Sequence, residues 1–100
     1  MLEHHVYFWL KDERLGDRER REFEQALDGL LAIDGIVSGH WGRPAPVAER
    51  PVVDQSFHYA LSLRFESVAA HDAYQADERH RAFVASHQDW WRRVQIYDIE

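Results

Sequence analysis

Ser56-Phe57-His58-Tyr59-Ala60-Leu61-Ser62-Leu63-Arg64-Phe65 is the stretch that decides the fold. Phe57, Tyr59, Leu61, Leu63 and Phe65 take every second position, with His58, Ala60, Ser62 and Arg64 between them. Period two is the repeat of a strand, whose successive side chains point to opposite faces. One face is wholly core-like, so this strand packs its large side chains against another layer. Ser67 follows as an N-cap for a helix carrying Val68, Ala69, Ala70 and Tyr74. Asp77 caps a second helical run that sets His80, Phe83, Val84, His87 and Trp91 on one side. Arg92 to Ile99 reads as a closing strand, with Val94, Ile96 and Asp98 opposite Gln95, Tyr97 and Ile99.

Toward the N-terminus the pattern alternates in the same way. Gly42 to Gln55 holds all three prolines and reads as a long irregular connection, of the kind that serves as a lid or an interaction arm. Ile36 to Trp41 is a strand interrupted by Gly39, which marks a bulge or a close backbone approach. Phe23, Ala26, Leu27, Leu30 and Leu31 follow the i, i+3, i+4, i+7, i+8 spacing of an amphipathic helix. That helix is expected to start with Asp17 as N-cap and to end near Ile33, with Asp34-Gly35 as the exit turn. Glu3 to Lys11 is a strand with His4, Val6, Phe8 and Leu10 on one face and His5, Tyr7 and Trp9 on the other.

The order is β-α-β-β-α-β, which predicts an α+β, ferredoxin-like fold: a four-stranded antiparallel sheet with helices on one face. The face away from the helices would present Tyr7, Trp9, His58 and Ala60. An aromatic sheet face left in water calls for a cover, and a second copy of the chain supplies one. A two-fold homodimer is therefore expected.

Composition narrows the rest. At 100 residues the chain fits one domain spanning positions 1–100. With 45% hydrophobic and 30% charged residues it has the balance of a folded soluble protein. A formal net charge of −6 argues against a sequence-independent grip on nucleic acid. No cysteine is present, so thiolate metal sites, disulfides and cysteine nucleophiles are excluded. The longest apolar run, Val6 to Leu10, is far too short to span a membrane, and no targeting signal is read; a cytoplasmic protein without membrane attachment is expected.

No phosphate loop, Gly-x-Gly-x-x-Gly, His-Glu-x-x-His or Gly-x-Ser-x-Gly occurs. The chemistry-bearing candidates are polar residues on faces that should be buried: His4, Tyr59, Tyr74 and His80, all directed at the space between sheet and helices. Seven histidines invite a metal reading. However, His5, His40, His58, His71 and His87 fall on other faces or loops, and none pairs with a carboxylate at ligand spacing on an assured common face. No metal site and no cofactor are expected.

The chain resembles the Dabb family, the stress-responsive A/B barrel domain proteins, essentially from end to end. The likeness rests on His4-His5-Val6-Tyr7-Phe8-Trp9-Leu10-Lys11-Asp12, on Ile33-Asp34-Gly35-Ile36 with Gly42 following, and on Ala60 to Ser67. Tyr74-Gln75, His80, Phe83 and the terminal Val94-Gln95-Ile96-Tyr97-Asp98 complete it. Where the family often has His-Pro-x-His, this chain reads Asp77-Glu78-Arg79-His80 and keeps only the last histidine. The resemblance implies a dimeric α+β barrel. It also implies a pocket role for His4, with Tyr59 in a strand-three position that a histidine takes in one branch of the family. That plant branch is a polyketide cyclase performing an intramolecular aldol condensation with a tyrosine and a histidine spaced like Tyr74 and His80. By that likeness Tyr74 and His80 would be the catalytic pair, and His4, Tyr59, Phe8 and Phe83 would line the substrate pocket. The function implied is binding of a small apolar or aromatic molecule, with cofactor-independent cyclase, isomerase or lyase activity. The competing expectations are a non-catalytic, stress-related ligand-binding dimer and a cofactor-independent monooxygenase of the same barrel fold.

Overall fold

The computed structural model describes residues 1–100. Its elements run β1 (Leu2–Leu10), a 3-10 turn (Asp12–Arg14), α1 (Asp17–Leu31), β2 (Ile36–Gly42), β3 (Tyr59–Phe65), α2 (Val68–Ala76), α3 (Glu78–His87), a second 3-10 turn (Gln88–Trp90) and β4 (Trp91–Ile99). The four strands form one sheet in the order β2-β3-β1-β4, with every neighbouring pair antiparallel. This is the ferredoxin-like arrangement that the alternation of strand and helix patterns predicts.

Local chemistry explains most boundaries. The Ser67 hydroxyl accepts the Ala70 N–H at 3.1 Å and starts α2. Asp77 has extended backbone (φ −63°, ψ 140°), which ends α2, and its carboxylate accepts the Arg79 N–H at 2.8 Å, which starts α3. Gly35 takes φ +95° in the turn after α1, a conformation that side chains resist. At Gly39 a Cβ would lie 2.6 Å from a Leu63 methyl, so this glycine marks a close approach. The register shift in β2 falls instead between Ile36 and Ser38.

Most ends shift by one or two residues from the sequence reading, and two of the differences have a visible cause. Asp17 is the first helical residue and not the N-cap. Gly16 occupies that place, and its carbonyl accepts the first helical bond from the Arg20 N–H at 2.9 Å. Strand β3 begins at Tyr59, three residues later than expected. The His58 N–H donates to the Phe8 carbonyl at 2.8 Å and its ring accepts the Leu10 N–H at 2.9 Å, so the chain leaves the regular ladder there. Alternation stops with it. Phe57, expected on the helix-facing side, packs on the other face against Tyr7 (ring centroids 5.1 Å) and Trp9 (6.4 Å).

The core lies between the sheet and the helices. Phe23, Leu27 and Leu30 of α1 are buried against Val6, Phe8, Leu61 and Leu63. Phe23 is at the centre, its ring 5.3 Å from both Phe8 and Tyr59 and 6.0 Å from Phe83. Removing such a side chain from water is worth roughly 2–3 kcal/mol. The helices meet β4 at Trp91, whose ring is 5.8 Å from that of Phe83, and leave the middle of that edge strand uncovered. The side chains of Val94 and Ile96 on that edge strand therefore stay 39% and 45% exposed although they point to the helix side. On the opposite face Trp9 is buried, with its indole N–H donating to the Ser56 hydroxyl at 2.9 Å, while Tyr97 and Ile99 remain exposed. No helix is long and apolar enough to cross a membrane.

Candidate functional site

The helical break at Asp77 creates the site. It lets the last turn of α2 and the first turn of α3 meet at an angle over the sheet, which brings Tyr74 and His80 side by side with ring centroids 4.9 Å apart. Both border a cavity of about 230 Å³ between the helices and strands β1 and β4. Its walls are mostly apolar, with Phe8, Phe83, Trp91, Val94 and Ile96 among them. His4, Tyr74, Gln75 and His80 supply the polar groups. The cavity lies where the helices leave Val94 and Ile96 of β4 uncovered.

The electrostatics of the two facing rings are opposite in kind. Burial pushes the Tyr74 phenol well above the ordinary tyrosine range, and no protein acceptor holds its hydroxyl. Burial pulls His80 below the ordinary histidine value of 6.5, helped by the neighbouring His4 and His71, while Asp77 and the Gln75 backbone oppose the shift. At neutral pH the site therefore holds a neutral imidazole and an un-ionised phenol. An imidazole in that state is a proton acceptor and a phenol is a hydrogen-bond donor.

His4 sits in β1 beneath α2, almost wholly buried, and its Nδ1 donates to Asp98 Oδ1 at 2.5 Å. Burial lowers its pKa although Asp98 pulls the other way. Its ring lies 6.1 Å from that of Tyr74.

Of the six residues named from sequence, His4, Phe8, Tyr74, His80 and Phe83 border this one cavity. Tyr59 does not. Its ring packs between Phe23 and Trp41, and its hydroxyl donates to Glu24 at 2.6 Å and accepts from Arg20 at 3.3 Å. It shares the helix-facing side of the sheet, but its position opposite Phe8 lies toward α1 and away from the helical break. The sequence reading also set His71 apart from the buried histidines. In the fold its ring centroid is 4.8 Å from that of His4, because the first turn of α2 lies over the beginning of β1. Neither His71 nor Asp98 carries a local signal of this meeting; Asp98 is 94 residues from His4.

The family model described as Stress responsive A/B Barrel Domain (Dabb) matches residues 2–100. Among solved structures, a Dabb family protein with a ferredoxin-like fold from Mesorhizobium loti superposes with a TM-score of 0.78 at 26% identity, covering 99% of this chain and 94% of that one. A dimeric ferredoxin-like protein from Thermobifida fusca gives a TM-score of 0.77 at 18% identity, covering 98% and 88%. The hydroxynitrile lyase of Passiflora edulis gives 0.80 at 16% identity, covering 98% and 90%. A search of curated proteins finds no match.

Proposed function

The chain belongs to the stress responsive A/B barrel domain family, and we propose that it works as a homodimer binding a small apolar or aromatic molecule in the cavity between sheet and helices. In this reading Tyr74 and His80 carry cofactor-independent proton-transfer chemistry of the cyclase, isomerase or lyase kind. One observation carries it: a neutral imidazole and an unpartnered phenol border the same apolar cavity with their rings 4.9 Å apart. Neutral His80 takes a proton from a carbon next to a carbonyl, and the Tyr74 hydroxyl donates to the oxygen on which negative charge develops. The mostly apolar walls favour an uncharged or aromatic ligand over a phosphorylated one. That a neighbour of the same fold is a hydroxynitrile lyase supports the view that such a scaffold can host acid–base chemistry.

The other face of the sheet supports the dimer. Tyr7, Phe57 and Tyr97 form an aromatic cluster there, with Tyr97 58% exposed, and the Thermobifida neighbour is described as dimeric. Sedimentation velocity at micromolar concentration is expected to give a dimer; a stable monomer refutes this part.

Binding without turnover is the second reading, favoured by the lack of a hydrogen bond linking Tyr74 to His80. Thermal-shift screening with aromatic ketones and polyketide-like acids tests both, since a ligand selective for the native state raises Tm. For the catalytic reading, a stabilising compound is converted by the wild type and left unchanged by His80→Ala. If His80→Ala and Tyr74→Phe alter only affinity, the second reading holds. If no compound of this class raises Tm, the cavity assignment fails.

A further inference from the structure

At one end of the cavity, three elements bring together His4, which borders it, and two side chains that the acid–base reading does not use. His4 comes from β1, His71 from the first turn of α2 and Asp98 from the edge strand β4. One nitrogen from each histidine and one carboxylate oxygen lie within 4.8 Å of one another. We propose that His4, His71 and Asp98 form a binding site for a divalent first-row transition-metal ion of the zinc class.

Nδ1 of His71 lies 3.0 Å from a carboxylate oxygen of Asp72, which accepts its proton and orients the ring. Nε2 is then the nitrogen with a free lone pair, and it is buried with no hydrogen-bond partner in the protein. A buried acceptor without a donor costs about 1–3 kcal/mol unless something occupies it. A carboxylate holding one imidazole nitrogen while the other faces inward is the outer-shell arrangement of metal-ligating histidines. His4 is the second imidazole, its side chain 3% exposed, and Asp98 is the anionic ligand.

Two imidazoles and one carboxylate suit zinc-class ions; magnesium and calcium prefer oxygen alone. Such an ion needs bonds of about 2.0–2.2 Å, hence donor atoms roughly 3.3 Å apart in a tetrahedral shell. Closing from at most 4.8 Å to that spacing takes shifts of about 1.5 Å, made by side-chain rotation. Asp98 can supply much of it, since its side chain is 42% exposed on the edge strand. Coordination replaces the hydrogen bond between His4 and Asp98: neutral His4 carries its proton on Nε2 in place of Nδ1, and Nδ1 and the carboxylate both turn to the ion. Burial, which lowers the His4 pKa, keeps the ring in the neutral form that a metal requires. The exposed histidine His40, far along the chain on β2, offers no comparable set.

The test uses the whole protein, stripped with chelator, and zinc chloride in isothermal titration calorimetry, with cobalt(II) absorption as a spectroscopic check. Expected are one ion per chain and visible cobalt bands of a low-coordinate site. His71→Leu and Asp98→Asn should each weaken binding at least tenfold with the metal-free circular dichroism unchanged, and His40→Ala should bind as the wild type does. Asp98→Asn keeps the shape of the side chain, so it reads the site even if His71→Leu folds poorly. Non-saturable uptake overturns the proposal. So does binding that survives both substitutions, or binding lost in His40→Ala. The proposal does not rest on the Tyr74–His80 chemistry: ligand-induced Tm shifts measured on metal-free His71→Leu report on the cavity alone.

Discussion

Two tyrosines lie buried on the helix-facing side of this protein, and their surroundings differ in every respect that matters. Tyr59 is 0% exposed and Tyr74 1%. The Tyr59 hydroxyl is committed twice, donating to Glu24 and accepting from Arg20, and Glu24 in turn accepts from Arg43 at 2.7 Å. The Tyr74 hydroxyl has no such partner, and its phenol is raised by burial alone. Equal burial thus conceals two uses of the same side chain. One ties α1 to the sheet; the other keeps a polar group available at a cavity wall.

The contrast can be broken most forcefully at His80. If the cavity is catalytic, His80→Ala should lower turnover of a converted ligand by about 10²–10⁴-fold, the usual contribution of a general base. Steady-state kinetics on a hit from the thermal-shift screen reads this directly. A loss below threefold would place His80 with Tyr59, as a structural residue.

Next in size is Tyr59→Phe. It removes the hydroxyl that donates to Glu24 and accepts from Arg20, and is expected to lower unfolding free energy by about 1 kcal/mol in urea denaturation. Tyr74→Phe is the matched control. It removes a hydroxyl that bonds to nothing in the protein, so its stability should stay within about 0.5 kcal/mol of wild type. Equal losses in the two variants would erase the distinction drawn here.

Acid separates the same regions along the pH axis. His4 and His80 have folded-state pKa values below the ordinary 6.5, so the unfolded chain binds protons first and the native state loses stability as pH falls below 6.5. Glu24 has its pKa lowered by the Tyr59 hydroxyl and by Arg43. Its contribution is complete above the ordinary 4.5 and is lost as pH drops through the lowered value. Tm measured against pH should therefore fall in two stages. His80→Gln should weaken the upper stage and Glu24→Gln the lower; a profile flat from pH 7 to 5 would contradict the histidine part. The smallest effect belongs to Arg43→Ala. This residue is 52% exposed, so its ion pair with Glu24 should be worth no more than about 0.5–1 kcal/mol.

How far the sequence could be read follows from the range of the forces involved. Ser67 and Asp77 were legible as caps because capping joins residues two or three apart. The faces of β1 and of α1 were legible because periodicity is local. Phe57 was misplaced because alternation holds only while the ladder holds, and the ring of His58 takes a bond from the Leu10 N–H at the point where the ladder ends. His71 carried no sign of His4, since nothing in a helical repeat tells which strand will lie beneath it. Tyr59 and Tyr74 looked alike in the chain, each a polar-tipped ring at a core position.

Element order, strand and helix faces, the Gly35 turn and the break at Asp77 were thus determined by the sequence alone, through backbone sterics and local hydrogen bonding. The tertiary structure decided which buried hydroxyl finds a partner, which histidines meet, and where the helices leave Val94 and Ile96 uncovered beside a cavity. Those outcomes depend on pairings such as His4 with Asp98, 94 residues apart, and only the closed sheet sets such pairings.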